Sequence, residues 1–323
     1  MIKIKAKLLM FIGLLILLLS AQISTAEEDT IEIVCTNAVL ADFTSNIITD
    51  NVSIEFIMPA GACPAHFDTT PSDVLKIINA DIIISLGWEP WLEDLLNKSG
   101  NTQYTEIPIR GLGEWNIPSG ARQYVQAISN GLQQSLPGKN VTINQNTEEY
   151  LGKIEETADQ LRDQIVLLNM DHRKIICMEW QKDFLEWLGL NVTHFYGPPE
   201  GLSVQDELDV ISAALDEGVS AVIDNLQSGT EFGANVAGES GISHVIFTNF
   251  PGAVPNTETY LEMIAYNTDQ LIKGINTFDY TSDQAKEVQE ELNNLQLQRN
   301  FFAILTVMLV VLLGIFYLMY KKK

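Results

Sequence analysis

Residues 146–168 read NTEEYLGKIEETADQLRDQIVLL and lie near the middle of a chain of 323 residues. Asn146 followed by Glu149 resembles a capping box, with Asn in place of Ser or Thr. Apolar side chains recur at the spacing of one helix face. They are Tyr150, Ile154, Ala158, Leu161, Ile165 and Leu168. The stretch therefore predicts one uninterrupted helix, about 35 Å long at ~1.5 Å per residue.

Strand-like and helix-like segments alternate before this helix. The predicted strands are residues 30–36, 53–58, 81–86 and 106–109, and the predicted helices are 39–48, 72–79, 89–96 and 120–136. The segment 81–86 (DIIISL) contains a continuous apolar run, as expected for a strand that is buried on both faces of a parallel sheet.

The same alternation resumes after the helix. The predicted strands are 174–178, 191–196, 221–224 and 244–248, and the predicted helices are 184–188, 204–216, 231–239 and 257–273. Alternating strands and helices build parallel sheets covered by helices. The predicted fold is therefore α/β, with two Rossmann-like lobes containing parallel sheets, joined by one long rigid helix, plus a C-terminal transmembrane helix.

Both ends of the chain are apolar. Residues 8–19 carry no charge, follow three Lys and precede small residues at 24–26, which is the layout of a cleavable signal peptide. Residues 301–320 also carry no charge, are long enough to cross a bilayer once, and precede three Lys, which favour the cytoplasm. We therefore expect a single-pass protein of the cell membrane with residues 27–300 extracellular.

These features divide the chain into segments. They are a signal peptide (1–26), an N-terminal α/β lobe (27–145), the linking helix (146–170), a C-terminal α/β lobe (171–280), a juxtamembrane stalk (281–300), a transmembrane helix (301–320) and a cytoplasmic basic tail (321–323).

The composition is strongly acidic, with 42 Asp+Glu against 19 Lys+Arg and a formal net charge of -23. Such a chain repels phosphate backbones, so we expect no nucleic-acid partner. Three cysteines (Cys35, Cys63 and Cys177) are too few for a disulfide-built scaffold, and whether Cys35 pairs with Cys177 stays open. The sequence has no G-x-S-x-G, P-loop or H-E-x-x-H signature, so we do not expect an enzyme.

The loop after the second predicted strand carries the strongest chemistry. Cys63, His66 and Asp68 supply a thiol, an imidazole and a carboxylate, which are all metal ligands. Flanking Pro and Gly residues would fix the loop so that these groups converge. The alternative is a stiffened loop in which Cys63 packs as a small hydrophobe and His66 bonds to a carbonyl. Spacing leaves both interpretations open.

Ligands of open parallel sheets bind at the carboxyl ends of the strands. Polar and aromatic side chains follow several of the predicted strands. The candidates for lining a cleft are Thr36, Asn37, Trp88, Trp115, Trp180 and Asn249. For each Trp taken alone, packing in the core is the alternative.

Several short segments together resemble the substrate-binding proteins of zinc/manganese-type ABC importers. In order they are 36–42 (TNAVLAD), 59–64 (PAGACP), 71–73 (PSD), 80–81 (AD), 87–92 (GWEPWL), 188–190 (LGL), 227–228 (QS) and 259–261 (TYL) with Asn267. The resemblance covers roughly residues 30–275. It implies two α/β lobes bridged by one rigid helix, with a metal held between them.

The resemblance also shows where this chain departs from the family. The family's metal-binding positions fall on Cys63, on Ala65 next to His66, on the His-free stretch 113–118, on Met178, on Asn225 and near Asn249. A site rebuilt from other residues is therefore expected. The candidate metal ligands are Cys63, His66, Asp68, Glu114, Met178, Glu179 and Asn225.

The resemblance implies a solute-binding protein that passes its cargo to the permease and ATPase subunits of an ABC importer. Sulfur among the candidate ligands favours a soft or borderline divalent metal as the cargo, such as zinc, copper or iron, over manganese. Zinc is the first choice, and copper, iron and manganese stay as alternatives. Two other interpretations stay open: the scaffold binds a metal chelate or a small organic solute, or it is a surface adhesion or interaction protein without transport.

Overall fold

The structure, a computed structural model, describes residues 30–111, 113–216 and 218–321. The predicted signal peptide and the last two Lys of the basic tail lie outside these residues. In the described part of the chain, strands and helices alternate on both sides of one long helix.

The elements agree in type and order with the prediction. The strands are β1 (Ile31–Cys35), β2 (Val52–Phe56), β3 (Ile82–Ser85), β4 (Thr105–Pro108), β5 (Lys174–Met178), β6 (Asn191–Tyr196), β7 (Val219–Asn225) and β8 (Ser243–Phe247). The helices are α1 (Ala38–Ile47), α2 (Pro71–Ile78), α3 (Leu92–Ser99), α4 (Pro118–Ser135), α5 (Asn140–Leu167), α6 (Glu179–Trp187), α7 (Val204–Ala214), α8 (Glu231–Ser240) and α9 (Tyr260–Lys321).

Each lobe contains one four-stranded parallel sheet, with the order β2-β1-β3-β4 in the first lobe and β6-β5-β7-β8 in the second. The strand order reverses beside β1 and beside β5, and such a switch point opens a crevice at the carboxyl ends of the strands. β3 and β7 are buried along their whole length, because helices cover both faces of each sheet. The predicted two-lobed α/β fold is confirmed.

The linking helix α5 is longer than predicted and begins at Asn140. A short 3₁₀ turn, Pro137–Lys139, leads directly into it from α4. The prediction of a capping box at Asn146 is wrong, because this residue lies inside the helix and its Nδ2 donates to the backbone oxygen of Ile47 at 3.0 Å. α5 packs against α1 and α4 of the first lobe and against α9 of the second, so it bridges the two lobes.

The last helix of the second lobe, the stalk and the apolar C-terminal segment form one helix, α9. No Gly or Pro occurs from residue 275 to residue 313, so nothing in this range breaks the helix. The helix begins at Tyr260 in the core, and its side chains become almost uniformly exposed from residue 281 onward. Among the described residues, α9 is the one helix whose length and composition would allow it to cross a membrane.

Asp42 of α1 ties together three helices. Its Oδ2 accepts hydrogen bonds from the Tyr150 hydroxyl of α5 at 3.0 Å and from the backbone N–H of Tyr260 in α9 at 3.1 Å. Burial raises the pKa of Asp42 from 3.8 to about 6, the two hydrogen bonds oppose this, and the charge of Glu262 adds to it. The joint between the lobes therefore contains a carboxyl group that holds its proton into weakly acidic solution.

We expect Asp42 to make the free energy of unfolding fall as the pH rises from about 4 to about 6. In this range the folded chain still holds a proton that the unfolded chain has released, so the folded state binds more protons. The shift of the Asp42 pKa from 3.8 to about 6 corresponds to a change of at most about 3 kcal/mol in the free energy of unfolding. Urea unfolding of the full-length protein in detergent, repeated across this range, measures the slope.

Asp42→Asn keeps an acceptor oxygen for Tyr150 and Tyr260 and should remove this part of the slope. Asp159→Asn, at an exposed position of α5, is the matched control and should leave the slope unchanged. A wild-type slope in Asp42→Asn would contradict the assignment.

Candidate functional site

The carboxyl ends of the two sheets meet at a cavity of about 130 Å³ between the lobes, which we call the inter-lobe cavity. The first lobe lines it with Cys63, Trp88, Trp115 and Asn116, among others. The second lobe lines it with Trp180, Asn225, Gln227, Ser228, Asn249 and Phe250. The walls combine aromatic rings with amide groups, a composition typical of sites for small molecules.

The loop after β2 does not bring its three candidate ligands together. Two successive turns shape it: the N–H of Ala62 donates to the oxygen of Pro59 at 2.9 Å, and the N–H of His66 donates to the oxygen of Cys63 at 3.1 Å. Cys63 is half-buried and lines the inter-lobe cavity, whereas His66 and Asp68 are exposed and are not among its lining residues. Of the two interpretations left open for this loop, the structure therefore favours the one without convergence, because Cys63 alone of the three lines the cavity and the described residues contain no cluster of three such ligands.

The turn after β3 presents Trp88 at the cavity. The carboxylate of the buried Glu89 accepts the N–H of Leu86 at 2.8 Å and the N–H of Trp88 at 3.1 Å, which closes the turn. The Trp88 indole donates from Nε1 to the oxygen of Gly111 at 2.7 Å, and the side chain is 39% exposed. The Glu89 carboxylate is therefore engaged in these two hydrogen bonds, which fix the backbone that carries Trp88.

The 3₁₀ turn Glu114–Asn116 carries Trp115 into the boundary between the lobes. The Trp115 indole donates from Nε1 to the backbone oxygen of Asn249 at 2.9 Å. Its ring packs against Tyr124 and Phe250 at centroid distances of 5.5 and 5.6 Å. Trp115 belongs to the first lobe, and Asn249 and Phe250 belong to the second. The Trp115 side chain therefore joins the two lobes, and we call these contacts the Trp115 latch.

Glu114 lies outside the inter-lobe cavity. Its Oε2 accepts the hydroxyl hydrogen of Tyr124 at 2.8 Å, and burial together with this carboxylate raises the pKa of Tyr124. Glu114, Glu179 and Asp183 line a neighbouring groove of about 260 Å³. The two candidate ligands Glu114 and Glu179 therefore share a surface with each other but not with Cys63.

The residues that follow β5 divide between core and cavity. Met178 is fully buried in the second lobe, and its Sδ accepts the N–H of Trp180 at 3.4 Å, which caps α6. Trp180 lines the cavity and is 42% exposed. Its backbone oxygen accepts a hydrogen bond from Nδ2 of Asn116 at 3.3 Å, which is a further hydrogen bond between the lobes.

Asn225 follows β7 and lines the inter-lobe cavity while being only 1% exposed. Its Oδ1 accepts the N–H of Ser228 at 3.0 Å, whereas its Nδ2 is buried and has no hydrogen-bond partner. Leaving a buried donor unpaired costs about 1–3 kcal/mol. This amide donor is therefore the polar group of the cavity that most needs a partner.

An amide network completes the wall of the second lobe, and the sequence did not predict its connections. Nε2 of Gln227 donates across the boundary to the oxygen of Ala60 at 2.8 Å, and its Oε1 accepts the N–H of Asn249 at 3.1 Å. Nε2 of Gln181 donates to Oδ1 of Asn249 at 2.9 Å. Two sequence signals pointed to Gln227: its position just after a strand and the family-like pair 227–228 (QS).

Thr36 and Asn37, predicted to line the cleft, are buried after β1 and are not among the residues lining the inter-lobe cavity. Oδ1 of Asn37 accepts the N–H of Leu40 at 3.1 Å and caps α1. The side chain is therefore turned toward its own helix.

The other two thiols are free and buried, one in each sheet. Burial raises the pKa of Cys35 to about 12, although a contact with Thr44 opposes this, and burial also raises the pKa of Cys177. Cys35 and Cys177 therefore do not form a disulfide in this structure. They lie on β1 and β5, which belong to different lobes. Cys63 is the cysteine that reaches the cavity.

No histidine is among the described residues that line the inter-lobe cavity. His172 pairs with Asp171, and His244 pairs through Nε2 with the fully buried Asp224 at 2.7 Å. Across the described ranges, no three or more His, Cys, Asp and Glu side chains lie close enough together to hold a metal ion. The cavity therefore offers one thiol, several amides and aromatic rings.

The family model for ZnuA, the periplasmic component A of a zinc-uptake complex, matches residues 33–274. The match covers most of the chain, which therefore belongs to this family of ABC-transporter substrate-binding proteins and is not an enzyme. The resemblance seen in the sequence is confirmed.

Individual relatives carry different metals in their names. The chain is 25% identical over 279 residues to the manganese-binding lipoprotein MntA of Halalkalibacterium halodurans, covering 78% of this chain and 91% of that protein. It is 26% identical over 191 residues to the iron ABC transporter substrate-binding lipoprotein MtsA of Streptococcus pyogenes serotype M1, covering 51% of this chain and 61% of that protein.

Solved structures show the same fold. The periplasmic metal-binding protein of Candidatus Liberibacter asiaticus superposes with a TM-score of 0.64 at 18% identity, covering 75% of this chain and 98% of that chain. A crystal structure of ZnuA gives a TM-score of 0.63 at 18% identity with the same coverage. At these identities the likeness concerns the fold alone.

Proposed function

We propose that this chain is the cargo receptor of an ABC importer for a transition metal, and that it holds its cargo in the inter-lobe cavity. The observation that carries the proposal is the cavity itself, which lies between the carboxyl ends of two parallel sheets and is lined by both lobes. Membership of the ZnuA family supports a metal as the cargo.

The donor set supports a soft or borderline divalent metal, with zinc first and copper, iron and manganese as alternatives. Of the candidate ligands, Cys63 and Asn225 line the cavity, and a thiolate favours zinc, copper or iron over manganese, which is the harder ion. The other candidates do not line the cavity, and we assign them no direct bond to the cargo there. They are His66, Asp68, Glu114, Met178 and Glu179.

Delivery to a permease and its ATPase takes place at a membrane, and we propose that residues 301–320 of α9 anchor the receptor there. This stretch carries no charge and is followed by Lys321. The body from residue 27 to residue 300 would then be extracellular. The bonds that α5 makes with both lobes support a small relative motion of the lobes during capture and release.

The proposal predicts that full-length protein purified from cells retains a transition metal. Cys63→Ser should lower the retained metal at least about tenfold, because a thiolate in the cavity is lost. His66→Ala is the matched control from the same loop and should retain the wild-type amount, since His66 is exposed outside the cavity. Elemental analysis for zinc, copper, iron and manganese measures the result. Equal metal content in wild type and Cys63→Ser would contradict the proposal.

A further inference from the structure

The inter-lobe cavity provides too little negative charge for a bare divalent ion. Among its described lining residues none is Asp, Glu or His, and Cys63 is the one side chain that can become anionic. Glu114 and Glu179 line the neighbouring groove, which shares Gly113, Asn116 and Trp180 with the cavity, and neither carboxylate is among the residues that line the cavity itself. A doubly charged ion between aromatic walls would keep one charge uncompensated, which a low-dielectric site strongly disfavours.

Most of the amide oxygens at the cavity are already engaged in hydrogen bonds. Three of them each accept one: Oδ1 of Asn225 from Ser228, Oε1 of Gln227 from Asn249, and Oδ1 of Asn249 from Gln181. The amide group without a partner is a donor, Nδ2 of Asn225. A donor requires an acceptor atom on the cargo, and a bare cation has none.

We infer that the metal enters this cavity already held by one compact organic chelator with a single carboxylate. The inference rests on the proposed function, because it specifies the form in which the transition metal binds. Sγ of Cys63 takes an open coordination position as a thiolate, and its proton passes to solvent. The chelator's carboxylate supplies the second negative charge, and a carboxylate oxygen accepts from Nδ2 of Asn225.

The size of the cavity limits the chelator. The cavity has a volume of about 130 Å³. Sites for drug-sized ligands begin at roughly 300 Å³, so a siderophore or a corrinoid is too large. Trp88 and Trp180 are 39% and 42% exposed at the cavity, and their rings cover the organic part of a small complex.

Titration of the full-length protein in detergent, followed by tryptophan fluorescence and calorimetry, tests the inference. The probes are Zn²⁺ alone, Zn²⁺ with glycine, Zn²⁺ with picolinate, and each organic acid without metal. We expect Zn²⁺ with either acid to bind at least about tenfold more tightly than Zn²⁺ alone, because the complex carries both the charge and the acceptor oxygens.

Variants at Asn225 separate the two recognition elements. Asn225→Leu removes the donor and should weaken binding of the zinc–picolinate complex by about tenfold to a hundredfold. Asn225→Asp places a carboxylate in the cavity and should reverse the preference, so that Zn²⁺ alone binds more tightly than in the wild type. Asn130→Leu, at an exposed position of α4, is the matched control and should behave as the wild type. Circular dichroism confirms that each variant is folded.

The outcomes distinguish this inference from the proposed function. Equal binding of Zn²⁺ with and without the organic acids overturns the inference and leaves the metal receptor standing. Metal in the purified protein but no binding of any probe also overturns the inference alone. Binding of the organic acids without metal, at the affinity of the complexes, overturns both.

Discussion

Replacing Trp115 with alanine is expected to lower the free energy of unfolding by about 3–5 kcal/mol, the usual cost of removing a buried aromatic side chain. Trp115 is only 3% exposed and packs against Tyr124 and Phe250, which belong to different lobes. It also donates to the backbone oxygen of Asn249 across the boundary. The variant therefore loses packing against Tyr124 in the first lobe, and it loses the contacts with Phe250 and Asn249 in the second lobe, which form the Trp115 latch.

Trp115→Phe separates these two contributions, since it keeps most of the ring and loses the indole donor. It should cost about 1 kcal/mol for the hydrogen bond in addition to the smaller ring volume. Trp88→Ala is the comparison from the open side of the cavity and should cost less, because that side chain is 39% exposed. Urea unfolding of the full-length proteins in detergent measures all three. If Trp115→Ala is as stable as Trp88→Ala or more stable, the stabilising role of the Trp115 latch is contradicted.

Gly120→Ala is expected to destabilise the protein by about 1–3 kcal/mol and to weaken cargo binding. A Cβ at this position would overlap the backbone carbonyl of Glu114. A backbone carbonyl cannot swing aside as a flexible side chain can, so the turn Glu114–Asn116 must shift. That turn carries Trp115 and Asn116, which both line the inter-lobe cavity and both bond to the second lobe.

Gly152→Ala is the matched control for Gly120→Ala, because it makes the same substitution in a helix at a position where the added Cβ meets no other atom. Gly152 lies in α5 with no atom within 4 Å of an added Cβ, so alanine should stabilise the helix by up to about 1 kcal/mol. Thermal unfolding and titration with zinc–picolinate compare the two variants. If Gly120→Ala is as stable as the wild type and binds equally well, the turn Glu114–Asn116 can accommodate the added Cβ. That result would contradict the predicted clash with the Glu114 carbonyl.

Most of the fold could be predicted from the sequence because its signals are local. The continuous apolar runs of β3 and β7 reflect burial of both faces of each sheet, and the helical spacing of α5 reflects burial of one helix face. The start of α5 was misplaced because Asn146 has the residue type of a cap, while its amide is used in a tertiary contact with Ile47. Residue type alone does not separate a cap from such a contact.

The candidate site was predicted less well because its members are brought together by turns. Cys63 and His66 are close in sequence and joined by a backbone hydrogen bond, but Cys63 lines the cavity while His66 is exposed outside it. Gln181 and Gln227 meet through Asn249, and nothing in the sequence pairs them. The cleft was predicted at the carboxyl ends of the strands, and the inter-lobe cavity lies there because strand ends are set by the fold.

The unbroken helix α9 has a mechanical consequence. It leaves the second lobe near Tyr280, where Asp279 still pairs with Arg173, and reaches the apolar segment at Phe301. With that segment in a bilayer, as proposed, the intervening turns form a strut of about 30 Å at ~1.5 Å per residue. A strut of this kind holds the receptor at a set height and allows it to lean or spin but not to fold down. Docking onto a partner in the same membrane then requires either that the partner extends to that height or that the polar turns of the strut unwind.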